Sequence, residues 1–119
     1  MSGVEGFDEV PDFRAARAVV QACDPLTMAR FPDLEDRIRY AFVHVTHGFM
    51  CDWWGSQSPG MTLRVSAETG ADALWCEWLV AAAMHAVLIT GLPADVKTVE
   101  DLAVQAAMVD KQLNRRTRA

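Results

Sequence analysis

Residues 74–90 carry only one formally charged side chain, Glu77, and one histidine, His85, among Leu74, Trp75, Trp78, Leu79, Val80, Met84, Val87, Leu88 and Ile89. A helix built from this stretch is apolar on nearly every side. In a water-soluble chain such a helix must lie at the centre and be covered by others. The helix is expected to begin near Ser66 or Gly70 and to run to Thr90, where Gly91 and Pro93 stop it. A central helix of this kind predicts an all-α fold, a compact four-helix bundle-like domain with residues 66–90 at its axis.

Three further helices supply the cover. The first spans residues 11–23, with Pro11 in the first turn and Asp8, Glu9 and Asp12 at the positive end of the dipole. Phe13, Ala16, Val20 and Cys23 form its expected inward stripe. Asp24-Pro25 ends it and opens a short turn through Phe31. The second helix opens at Pro32 and Asp33 and ends near Gly48 or Cys51, with Leu34, Ile38, Ala41, Phe42, Val45 and Phe49 on its apolar face. The last runs from about residue 99 to 115. Thr98 is its expected N-cap, Asp101 the capping-box partner, and Val99, Leu102, Ala103, Ala106, Val109 and Leu113 its inward face.

Residues 52–65 read differently. Gly55, Ser56, Ser58, Pro59 and Gly60 form a turn cluster without helical period, so a long irregular loop is expected, with one short strand at 61–65. An irregular stretch of this length in a compact domain is more often functional than accidental.

The chain has 119 residues, one domain's worth, and a 51% apolar composition that excludes a disordered protein. The net charge of −5 argues against nonspecific nucleic-acid binding, and the arginines near the C-terminus are explained by the helix dipole. Cys23, Cys51 and Cys76 are odd in number, form no CxxC pair and read as free thiols of a reducing compartment. The acidic start lacks the pattern of a secretory signal. The uncharged run 78–92 falls short of the roughly 20 residues of a membrane span. A cytoplasmic or virion-associated protein without membrane contact is the expectation.

Two constellations carry candidate function. On the second helix Tyr40, His44, His47 and Cys51 share a face about 135° from the apolar stripe. Imidazole nitrogen and thiolate sulfur are zinc ligands, and residues three and four apart on a helix are neighbours. His44, His47 and Cys51 would thus form a metal or redox site, with Asp52, Cys76 or His85 available as a fourth ligand. The reading to weigh against it, and the one the residues favour, is a half-exposed polar face with Cys51 as a small hydrophobe. The second constellation is Trp53-Trp54 before Gly55. Tryptophan is enriched at binding hot spots, so with Tyr40 this pair is a candidate interface, or else a cap on the open end of the bundle. His85 reads as a core histidine with a partner.

No GxGxxG, P-loop, HExxH or GxSxG pattern is present, so no cofactor and no catalytic role are expected. A helical protein-interaction, assembly or adaptor component follows, with self-association or a protein partner. A zinc-binding sensor and a small-molecule-binding bundle with a tryptophan-lined cavity are the alternatives. Thr-Leu-Arg-Val at 62–65, Ala-Asp-Ala-Leu at 71–74, Leu-Val-Ala-Ala-Ala at 79–83 and Thr-Gly at 90–91 together resemble the opening of small phage head–tail connector proteins. The resemblance covers about a quarter of the chain, and 61 residues precede it here, whereas that segment begins the family's proteins. It implies an assembly protein of a phage or other mobile element.

Overall fold

The structure is a computed structural model that describes residues 11–44, 52–93 and 95–118. The described residues form an all-α fold of six helices: α1 (Pro11–Ala22), α2 (Pro25–Arg30), α3 (Leu34–His44), α4 (Asp52–Thr69), α5 (Ala73–Thr90) and α6 (Val96–Arg118).

The apolar helix is α5, and it is the hub. Asp72 caps its start by accepting from the Trp75 amide at 3.2 Å. Gly91 ends it at φ 75°, a left-handed cap that costs glycine nothing, with its amide bonded to the Val87 carbonyl. Cys76, Leu79, Val80, Ala82, Ala83, Met84, Ala86 and Val87 are fully buried. α5 packs closely against α1, α4, α6 and α3, and α6 in turn packs against α1 and α4. α1 also meets α3, but α3 and α4 are not a closely packed pair. Among the described residues the ring around α5 therefore runs α3, α1, α6, α4 and stays open between α3 and α4. By length and composition α5 would also suit a bilayer, yet half of it is buried inside the molecule.

Of the two expected starts of this helix, Ser66 is excluded, and the observed start at Ala73 lies just beyond Gly70. Gly70 at φ 74° breaks the chain there, and Thr69 ends α4 instead. Side chains fasten the turn: Ser66 Oγ donates to the Ala71 carbonyl at 2.7 Å, Thr69 Oγ1 accepts from the Ala71 amide at 3.2 Å, and Lys111 Nζ donates to the Thr69 carbonyl at 3.2 Å.

The larger correction concerns residues 52–65. They form neither an irregular loop nor a strand; they are the first fourteen residues of α4, and Pro59 stands inside the helix. Met61, Thr62, Val65 and Thr69 follow helical spacing and are all buried, against α5 and α6. Burial of that face outweighs the low helix propensity of Gly55, Ser56, Ser58, Pro59 and Gly60. The Thr-Leu-Arg-Val segment at 62–65 accordingly lies within a helix.

Smaller shifts occur elsewhere. In α1 the buried residues are Ala15, Ala16, Ala18 and Val19, so the inward face is rotated from the predicted one, and Phe13 and Val20 are half-buried. Small residues there let α1 approach α5 and α6. The short turn after Asp24 is the helix α2, capped by the Asp24 carboxylate accepting from the Thr27 amide at 2.7 Å. α6 begins at Val96 rather than 99, because Asp95 and not Thr98 caps it: the Asp95 carboxylate accepts from the Thr98 amide at 2.7 Å. Its buried face, Val99, Ala103, Ala106, Ala107 and Asp110, follows the predicted one.

Candidate protein-docking surface

Among the described residues, the gap between α3 and α4 leaves one side of α5 open. Leu74 is 64% exposed and Leu88 48% exposed, Ala81 and Trp78 are half-buried, and Leu92 beyond the cap is exposed. On a helix, positions 74, 78, 81, 85 and 88 alternate steps of four and three, the period of the seam between two packed helices. The sequence reading missed this stripe because an all-round apolar helix gives no facing signal; the exposure pattern alone reveals it.

α3 forms one bank of the open side. Its Phe42 ring lies 5.9 Å from Trp78 and edge-on to His85 at 5.0 Å. These contacts leave His85 only 5% exposed. Burial pulls its imidazole down to about 4, so at neutral pH the seam carries no charge there. Above Phe42, Tyr40 is 63% exposed, and Asp36, Arg37, Tyr40, Ala41 and Ile89 line a shallow hollow of about 440 Å³. No tryptophan belongs to that lining.

The other predicted residues are not brought together by what the structure describes. His47 and Cys51 lie outside the described residues. His44 is the last residue of α3, and Trp53 and Trp54 stand in the first turn of α4 rather than in a loop. Cys76 and His85, alternatives for the fourth metal ligand, are both buried on α5, nine residues and half a turn apart. Among the described residues no group of three or more His, Cys, Asp or Glu is arranged to hold a metal.

The described thiols are quiet. Burial pushes Cys76 up, and burial with the nearby Asp24 charge pushes Cys23 up. Both are protonated at neutral pH and poor nucleophiles. Cys76 Sγ rests 3.9 Å from the Ala71 carbonyl.

The chain matches no protein-family model, no curated protein and no solved structure.

Proposed function

We propose that this protein is a non-catalytic assembly or adaptor component that binds another protein along the open side of α5. The supporting observation is the exposure of Leu74 and Leu88 on the same helix that supplies the largest share of the core. A leucine half in water on a central helix forgoes burial worth about 1 kcal/mol. A row of such residues marks a docking surface more often than chance scatter does. The seam period of four and three residues favours a helix as the docked element. The resemblance of residues 62–91 to small phage head–tail connector proteins favours an assembly role in a phage or other mobile element.

Photo-crosslinking tests this reading. Benzoyl-phenylalanine is placed at Leu88, or at exposed Gln105 on α6 as a control, and the full chain is irradiated in its natural host. A protein adduct, to any partner, is expected from position 88 and none from position 105. Absence of adducts at 88, or equal adducts at both positions, contradicts it.

A further inference from the structure

We infer that the first half of α4 is an order–disorder element: the helix through Gly60 unwinds and reforms by itself while residues 61–69 stay docked, with Pro59 at the boundary. The two halves differ in what holds them. Residues 61–69 bury Met61, Thr62, Val65 and Thr69 against α5 and α6. Arg64 pairs with Glu100 on α6, and Ser66 and Lys111 fasten the turn that follows. None of residues 55–60 is buried: Gly55, Ser56 and Pro59 are exposed, and Gln57, Ser58 and Gly60 are half-buried. Positions 57 and 58 would extend the buried face of Met61, Thr62 and Val65 back by one turn, and they hold a glutamine and a serine.

The backbone is weak over the same stretch. A glycine lowers the population of a helix about fivefold relative to alanine, and a proline more than about a hundredfold. Pro59 also leaves the Gly55 carbonyl without its helical donor, which cuts the ladder between the two halves. Neither glycine is required by fit. Gly70 and Gly91 hold left-handed conformations, whereas Gly55 and Gly60 do not. A methyl group on Gly55 would meet open space, and one on Gly60 only the end of the flexible Arg64 side chain at 3.4 Å. The stretch thus lowers helix stability without serving the packing, and unwinding residues 55–60 removes no buried residue from the core. Opening of this kind is sub-global and leaves the rest of the bundle folded. Six residues lengthen from about 9 Å as helix to about 20 Å as extended chain, so the step adds roughly 10 Å of slack ahead of the docked half.

Native-state hydrogen exchange of the full chain in low, rising urea tests this, under conditions where the rate reports the opening equilibrium. Corrected for intrinsic rates, the amides of Ser56, Gln57, Ser58 and Gly60 are expected to exchange at least tenfold faster than those of Val65, Ser66 and Ala67. Their rates should hardly respond to urea, because little surface is exposed, whereas the second group should accelerate with it. The double variant G55A/P59A should slow exchange at 56–58 and 60 by tenfold or more. Three results overturn the proposal. The first is equal protection and equal urea response in both halves, which would mean that α4 opens only as a whole. The second is a boundary elsewhere in the helix. The third is unchanged exchange at 56–58 and 60 in the double variant.

Discussion

Arg14 on α1 grips Asp110 on α6 with two donors, Nε to Oδ1 at 3.0 Å and Nη2 to Oδ2 at 2.5 Å, across 96 residues of sequence. The same guanidinium lies 4.3 Å from the centre of the Trp75 ring at the start of α5. One side chain thus ties three helices together at one end of the bundle. Its planar fork suits both contacts, and lysine could copy only the charge. Asp110 is buried while Arg14 is about one-third exposed, so the pair lies between a surface and an interior ion pair. Asp110→Ala is expected to cost about 1–2 kcal/mol in urea unfolding. Arg14→Lys should recover only part of that. An unchanged midpoint in Asp110→Ala would show that the pair does not tie the helices.

The two sides of α5 should respond differently to truncation. Leu79 is fully buried, and Leu79→Ala is expected to cost about 2–5 kcal/mol. Leu88→Ala, measured at a dilution where the chain is monomeric, should cost no more than about 1 kcal/mol. Similar losses at both positions would mean that the open side is in fact covered within one chain.

His85 gives stability a distinct pH dependence. Its folded-state value is about 4, against an ordinary histidine value of 6.5, because burial disfavours the imidazolium. Between those values the unfolded chain holds a proton that the folded chain does not. Stability is therefore complete above pH 6.5 and falls as pH drops towards 4, by about 3 kcal/mol over the full window. The capping carboxylates Asp24 and Asp95 are held below the usual value by the Thr27 and Thr98 amides, so their contributions are lost only lower, as pH falls below 3.8. Chemical denaturation from pH 7.5 to 4.5 should show the loss in the wild type and a flatter profile in His85→Gln. Identical slopes in the two proteins would remove His85 as the cause.

Pro59 sits mid-helix in α4, where it supplies no amide and its ring crowds the carbonyl of Gly55 four residues back. It is exposed. Pro59→Ala should raise stability by about 1–3 kcal/mol, read from the urea midpoint. A loss of stability would mean that the proline fixes a bend on which the packing of Met61 and Val65 depends.

These residues also explain how far the sequence could be read. The hub helix was legible because no amphipathic solution exists for residues 74–90, and its end was legible because Gly91 is a strong stop. The helix α4 was not. Gly55, Pro59 and Gly60 speak against a helix locally, and only the burial of Met61 and Val65 by α5 and α6, a tertiary effect, speaks for it. The cap of α6 was misplaced by three residues because Asp95 and Thr98 are both good capping types, and backbone geometry chooses between them. The candidate surface was legible only in kind. The stripe Leu74, Ala81 and Leu88 hides within a helix greasy all round. Which side of such a helix stays open depends on where its neighbours stop, and that follows from the separation of α3 and α4.

The central claim is that α5 keeps one face for the core and leaves the other open to a partner. Methyl NMR of leucine-labelled protein with a soluble paramagnetic probe tests it most directly. The account predicts that the probe broadens the Leu74 and Leu88 signals while the buried Leu79 signal stays sharp. Leu74 and Leu88 signals as well shielded as that of Leu79 would contradict it.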